Sequence, residues 1–255
     1  MSITSNVFAL LLLATWYQPG EIEGFYTKGK IIHPTELSAT GPGFQRLFLP
    51  RDRGWASSGL VGLLLGAAER IHTDFPDSGL LQVGDASAQT GGTISGHASH
   101  QNGLDVDLAF LRTDLEVQDP AGTNGFLEDF LQSDGTLSPL LDLPRNYALV
   151  RWWADTGVLN RIFVDAKIKT AFCTMAAAEG LALEEQEFLR RLRPWPHHSD
   201  HLHVRIQCPV DSPKCIAQDE PPEGSGCVEA RRIANGEIEW VPDASELLDS
   251  RYMNI

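Results

Sequence analysis

The sequence has no hydrophobic run long enough to cross a bilayer as a helix, which needs about 20 apolar residues. The eight-residue run VFALLLLA at residues 7–14 has a length that suits the apolar region of a secretory signal. No Lys or Arg precedes it, the first being Lys28, so the start of a buried helix or strand is the alternative. We expect residues 1–20 to be an atypical signal peptide and residues 21–255 to form the folded domain, without a stable membrane span.

Basic residues are also scarce. The 255 residues include 20 Lys and Arg against 34 Asp and Glu, a formal net charge of −14. No run of basic residues interrupts this acidic sequence, so nucleic acid is not expected as a partner. Hydrophobic residues make up 42% of the chain and charged residues 21%, which is ordinary for a globular protein. The length suits one large domain or two small ones, and no sharp linker divides it.

Closely spaced cysteine pairs are missing as well. No CxxC motif occurs, which argues against a structural zinc cluster. The four cysteines are Cys173, Cys208, Cys215 and Cys227, and the last three lie close together in a proline-rich segment. In an exported protein they would pair as disulfides, and the alternative is four reduced thiols.

Hydrophobic patterns predict helices and strands in an irregular order. Helices are predicted at residues 60–71, 146–155, 166–178 and 184–192, with a short one near 126–131. Strands are predicted at residues 80–83, 104–110, 161–164 and 201–207. Residues 21–53 are rich in Gly, Pro and Thr and indicate extended structure and loops. Because the strands and helices do not alternate regularly, the predicted class is α+β.

Six of the eight histidines fall in two short clusters. The metalloprotease motif HExxH is absent, so a zinc site on one helix is not predicted. The first cluster, GHASHQNGLDVD at residues 96–107, contains His97 and His100 and runs into a strand. Asp105 and Asp107 share one face of this strand because side chains alternate between its faces. A carboxylate among apolar neighbours needs a partner, which a metal ion would supply.

The second cluster, HHSDHLHVR at residues 197–205, places His201 and His203 on one face of another strand. Two histidines and one carboxylate with an open position form a hydrolytic zinc site, in which zinc lowers the pKa of a water to about 7. Either pattern alone is weak evidence, since a lone strand histidine is usually structural. We interpret His33 and His72 in that structural way.

The combined motifs resemble a known family. SGHASHQNGLDVD at residues 95–107, followed by HLHVR at 201–205, is similar to the penicillin-insensitive murein endopeptidases, which belong to the wider lysostaphin, D-Ala-D-Ala peptidase and hedgehog group. The similarity extends from about residue 24 to residue 227. Further matching segments are GPGF at 41–44, VGD at 83–85, RIFV at 161–164, RPW at 193–195 and CPVDSPKC at 208–215.

The resemblance implies a fold and a site. The fold would be a small central antiparallel sheet carrying the zinc site, with flanking helices and a disulfide-tied C-terminal tail. Its disulfide would join Cys208 to Cys215, which leaves Cys173 to pair with Cys227. The implied zinc ligands are His100, Asp107 and His203. His201 and His198 match active-site histidines, and His97 matches a position that can bind an additional metal. That additional site also uses a later histidine, and residues 101–196 contain none.

The implied function is zinc-dependent hydrolysis of the D-alanyl–diaminopimelate cross-links between peptidoglycan stem peptides, in the periplasm. Water attacks in this chemistry, so no nucleophilic serine is present for a β-lactam to acylate. His201 would take the proton from this water or stabilise the developing oxyanion. The alternatives are a D,D- or L,D-carboxypeptidase on the same zinc scaffold, and a catalytically inactive zinc domain that binds a partner. Retention of His198 and His201 argues against the inactive domain.

Overall fold

The computed structural model describes residues 22–181 and 186–246. The predicted signal segment and residues 184–185 of a predicted helix lie outside these ranges. The described chain forms five α-helices: α1 (Ser58–Asp74), α2 (Leu143–Asp155), α3 (Ala166–Glu179), α4 (Glu187–Arg191) and α5 (Cys227–Ala234). No helix in these ranges combines the length and hydropathy needed to cross a membrane.

The strands of the described chain are numbered in sequence order: β1 (Ile22–Phe25), β2 (Lys28–Ile31), β3 (Thr35–Glu36), β4 (Thr40–Gly41), β5 (Phe44–Arg46), β6 (Trp55–Ala56), β7 (Leu81–Val83), β8 (Asp105–Ala109), β9 (Leu159–Val164), β10 (Leu192–Pro194), β11 (His201–Ile206) and β12 (Lys214–Cys215). Seven of them form one sheet in the order β10-β9-β11-β8-β7-β5-β4. The predicted α+β class and the strands predicted at 80–83, 104–110, 161–164 and 201–207 are confirmed.

The sheet is mixed, so the implied antiparallel sheet is right for only some of its strand pairs. Strands β9, β11 and β8 are antiparallel, whereas β10 runs parallel to β9 and β5 runs parallel to β7. Each parallel pair is joined by a helical connection, α1 in one case and α3 with α4 in the other. A helix between two strands returns the chain to the same end of the sheet, and the next strand then runs parallel.

The helices begin at side chains that suit the first turn. Ser57 accepts a hydrogen bond from the Leu60 N–H at the start of α1, and Asp142 and Asp165 accept equivalent bonds at the starts of α2 and α3. The predicted helices at 60–71, 146–155 and 166–178 are confirmed with small extensions. The described part of the helix predicted at 184–192 is short, because Leu192 starts strand β10.

The short helix predicted near residues 126–131 is wrong. Phe130 donates its backbone N–H to Ser199 O at 2.9 Å, and its carbonyl accepts from Ser138 N–H at 2.9 Å. These long-range bonds replace the local ones that a helix would need. The segment is instead a loop that covers one end of the central strands.

The pleat of β8 and β11 separates the apolar core from a polar face. Val204 pairs with Val106, and both are fully buried in the core. On the opposite face His203 pairs with Asp107 and Arg205 pairs with Asp105. The alternation predicted for the two strands therefore places their histidines and carboxylates together.

Both disulfides follow the predicted pairing. Cys173 in α3 is bonded to Cys227 at the start of α5, and Cys208 after β11 is bonded to Cys215 in β12. The first bridge spans 54 residues of sequence and the second spans 7. The C-terminal tail is thereby attached both to α3 and to the end of β11.

We expect loss of the longer bridge to destabilise the fold more than loss of the shorter one. The entropy of the unfolded chain predicts about 4 kcal/mol for the Cys173–Cys227 loop and about 2 kcal/mol for the Cys208–Cys215 loop. Urea denaturation of the two double Cys→Ser variants measures both values. Equal losses would contradict the loop-length argument, and four free thiols in exported protein would contradict the pairing itself.

Candidate active site

His100 enters the site from the loop before β8. Its backbone has a φ of 63°, a left-handed conformation that costs a non-glycine residue about 1–2 kcal/mol. Two hydrogen bonds hold it there, since its N–H donates to Asp105 Oδ2 at 3.0 Å and its Nδ1 lies 2.7 Å from Ala86 O. With Nδ1 occupied, Nε2 faces Asp107 Oδ1 at 3.2 Å.

The Asp107 carboxylate is the point on which the histidines converge. His201 Nε2 lies 3.6 Å and His203 Nδ1 lies 3.9 Å from Asp107 Oδ1. His97 Nδ1 lies 3.7 Å from the other oxygen, Oδ2. With His100, four imidazoles therefore surround one buried carboxylate.

This centre contains buried polar atoms that lack hydrogen-bond partners in the described part of the chain and that a bound cation would satisfy. His100 Nε2 and Asp107 Oδ1 are buried and have no hydrogen-bond partner among the described residues. Such orphaned atoms are rare in folded proteins and need an explanation. Imidazole nitrogen and carboxylate oxygen are ligand atoms that zinc prefers. The residues present therefore fit a zinc ion.

The group of possible metal ligands whose atoms lie close together differs in one member from the three predicted zinc ligands. His97, His100 and Asp107 offer ligand atoms that all lie within 4.8 Å of one another. His203 approaches the same carboxylate but is outside this group. All the residues predicted for the site nevertheless meet in one cleft, whereas His33 and His72 are exposed and lie elsewhere.

Comparison with known proteins shows the family of the chain. A model of the penicillin-insensitive murein endopeptidase family, Peptidase M74, matches residues 22–246. The chain belongs to this family. It is 32% identical over 212 residues to the penicillin-insensitive murein endopeptidase of Klebsiella pneumoniae, which covers 80% of this chain and 72% of that protein. It is 36% identical over 211 residues to the enzyme of that name from Yersinia enterocolitica, covering 82% and 74%.

His201 of this murein endopeptidase is held from both sides. Its Nδ1 lies 2.5 Å from Asp200 Oδ1, and its ring stacks on Phe126 with centroids 4.9 Å apart. These contacts direct Nε2 toward Asp107. His198 packs against the His201 ring, with ring centroids 4.8 Å apart, and its own Nδ1 lies 2.8 Å from Pro196 O. Sequence reasoning missed Phe126, because a single aromatic residue in a loop carries no pattern.

His97 connects the centre to a neighbouring charged network. Its Nε2 lies 3.0 Å from Asp85 Oδ2, and the same oxygen accepts from Arg51 at 2.8 Å and from Arg53 at 3.0 Å. The guanidinium groups of Arg51 and Arg53 already neutralise this buried carboxylate, so Asp85 is poorly suited to bind an additional metal ion. Sequence reasoning missed the role of Asp85, although its position directly after a strand and a glycine was a usable signal.

The charges of the endopeptidase centre follow from burial and from neighbouring groups. Burial would raise the pKa of Asp107, but His100 and His201 hold this pKa well below its usual range. Burial would lower the pKa of His100, yet the neighbouring carboxylates, Asp107 first, raise it to about 9. Burial and the charge of His100 lower the pKa of His203 to about 4. Ligand imidazoles must be neutral, so cation binding would release the His100 proton.

The centre opens into a cleft of about 220 Å³. Phe163 and Trp195 pack edge to face at 4.9 Å and form one wall, and the exposed His197 lies at the rim. Trp240 supports this wall from behind, since its indole N–H donates to Pro194 O at 2.7 Å. The histidine centre is therefore accessible from the surface past an aromatic wall.

Proposed function

We propose that this murein endopeptidase is a zinc-dependent enzyme that hydrolyses the D-alanyl–diaminopimelate cross-links of periplasmic peptidoglycan. The observation that carries the proposal is that His100 Nε2 and Asp107 Oδ1, which lie 3.2 Å apart and buried next to the accessible cleft, each lack a hydrogen-bond partner among the described residues. Residues 21–255 form the zinc peptidase domain in this proposal, and residues 1–20 form the export signal. The two disulfides support an oxidising compartment such as the periplasm.

The residues that would hold zinc are His100, Asp107 and His203. They would supply two imidazole nitrogens and one carboxylate, a three-ligand set of the kind that hydrolytic zinc sites use. When bound, zinc would act as a Lewis acid, which would polarise the scissile carbonyl and lower the pKa of the zinc-bound water to about 7. His97 is the secondary candidate, because the resemblance gives its position to an additional metal; its Nδ1 lies 3.7 Å from Asp107 Oδ2, and it belongs to the same close group of possible ligands as His100 and Asp107.

His201 is the residue proposed to handle protons. Asp200 and Phe126 hold its ring, so that Nε2 faces the centre from the side of the cleft. At this atom it takes the proton of the attacking water or donates a hydrogen bond to the developing oxyanion. His198 stands against the same ring and limits its rotation. Pre-set orientation of this kind lowers the reorganisation needed during the reaction.

We expect His97→Ala to retain one tightly bound zinc, with affinity reduced by no more than roughly 10–100-fold. The reason is that the three proposed ligands stay in place, while an outer group that helps to orient a centre contributes about 10–100-fold. Competition with a chromophoric chelator measures the affinity. His72→Ala, at an exposed position on α1, is the matched control. If zinc is lost from the folded variant, His97 rather than His203 completes the ligand set.

The reaction itself is tested with purified cross-linked muropeptide dimers. We expect zinc-loaded protein to convert dimers to monomers by cutting between D-alanine and diaminopimelate, and we expect this cleavage to be insensitive to a β-lactam. Mass spectrometry identifies the bond. Release of free alanine without monomers would instead establish the carboxypeptidase alternative. An unchanged dimer in the presence of bound zinc would support the inactive binding domain.

A further inference from the structure

Asp105 is a second buried carboxylate next to the centre, and the proposed mechanism gives it no role. It is fully buried on the same strand face as Asp107. Its Oδ1 accepts a hydrogen bond from Arg205 Nε at 2.7 Å, and Oδ2 accepts a longer one from Arg205 Nη2 at 3.3 Å. Arg205 itself packs over the Tyr26 ring at 4.2 Å.

Two of the proposed zinc ligands contact this carboxylate. Asp105 Oδ2 accepts the backbone N–H of His100 at 3.0 Å, which supports the left-handed conformation of that residue. Asp105 Oδ1 lies 3.1 Å from His203 Nε2, a hydrogen-bond distance, although the angle is not that of a hydrogen bond. The other ring nitrogen of His203, Nδ1, is the one that faces Asp107.

These contacts argue against Asp105 as a ligand of the ion. Both of its oxygens are engaged by Arg205, and each also contacts a residue of the proposed ligand set. An outer carboxylate on the far nitrogen of a ligand histidine fixes the tautomer of the ring and its orientation. Asp105 has this position relative to His203.

We infer that Asp105 is a positioning residue that holds His203 as the Nε2–H tautomer, with the Nδ1 lone pair directed at the centre, and that holds His100 through its backbone. The inference rests on the proposed zinc site. The interaction differs from an ordinary buried ion pair, because removal of the carboxylate would change ligand geometry as well as stability. Arg205 supplies the charge that keeps the buried carboxylate ionised.

The first test measures zinc affinity by chelator competition in the full-length protein. We expect Asp105→Asn to weaken zinc binding by about 10–100-fold. The matched control is Glu246→Gln, which removes the carboxylate from another buried pair, 2.6 Å from Arg193 Nε, without touching a proposed ligand. In case loss of the Asp105–Arg205 ion pair unfolds the variant, the double variant Asp105→Leu with Arg205→Met replaces both side chains by apolar ones. Wild-type affinity in either folded variant would overturn the inference.

The second test reads the tautomer directly and needs no metal. Long-range ¹H–¹⁵N correlation spectra of metal-free wild-type protein at pH 8 should show His203 protonated at Nε2, and the double variant should lose this preference. Protonation at Nδ1 in the wild type would overturn the inference. The two ideas fail separately: wild-type protein that does not bind zinc contradicts the proposed function, whereas a wrong tautomer contradicts only the role of Asp105.

Discussion

Replacing His203 with alanine should remove zinc from the protein and abolish cross-link cleavage. His203 Nδ1 approaches Asp107 Oδ1 at 3.9 Å, and the variant would leave only His100 and Asp107 of the proposed ligand set. Loss of a ligand should cost more than the roughly 10–100-fold in affinity that loss of an outer contact costs. Elemental analysis of purified protein gives the zinc content, and muropeptide digestion gives the activity.

The control for this variant is again His72→Ala, which also exchanges a histidine for alanine but at an exposed position outside the cleft. Circular dichroism establishes that both variants are folded. Stoichiometric zinc in folded His203→Ala protein would contradict the proposed ligand set. Activity that survives complete removal of metal from the wild type would contradict zinc dependence altogether.

Replacing His201 with alanine should leave zinc bound while turnover falls by roughly 10²–10⁴-fold, the usual contribution of a positioned acid or base. The three proposed ligands are untouched, and only the Nε2 atom that faces the centre is lost. The Phe126 ring that stacks on His201 would remain, and the cleft wall formed by Phe163 and Trp195 is not altered. Zinc stoichiometry and the initial rate of dimer cleavage are measured on the same preparation.

A purely structural role for His201 predicts a different pattern, in which stability falls and the rate per folded molecule does not. Asp200→Asn separates the two, because it leaves the imidazole in place but weakens the contact at Nδ1, 2.5 Å away. We expect this variant to keep its zinc and to lose part of the rate. If His201→Ala loses zinc and His203→Ala keeps it, the two roles have been assigned the wrong way round.

Local pattern predicted the parts of the fold that depend on near neighbours. The apolar spacing at residues 60–71 predicted α1, and alternation at 104–110 and 201–207 predicted β8 and β11. The short helix near 126–131 failed because Phe130 hydrogen-bonds to Ser199, far along the chain. The two parallel strand pairs of the sheet were also missed, since strand direction depends on how the intervening helices return the chain.

The sequence by itself determined which residue types are available for chemistry and which of them share a strand face. Asp105 and Asp107 had to lie together, as did His201 and His203, because the pleat alternates at every residue. Tertiary structure decided the rest. Only the pairing of β8 with β11 set His203 opposite Asp107, and only the packed loops brought Asp85 to His97 and Phe126 to His201. Which nitrogen of His100 and of His203 faces the centre depends on partners distant in sequence, so local pattern carries no information about it; the partner of His201, by contrast, is the adjacent residue.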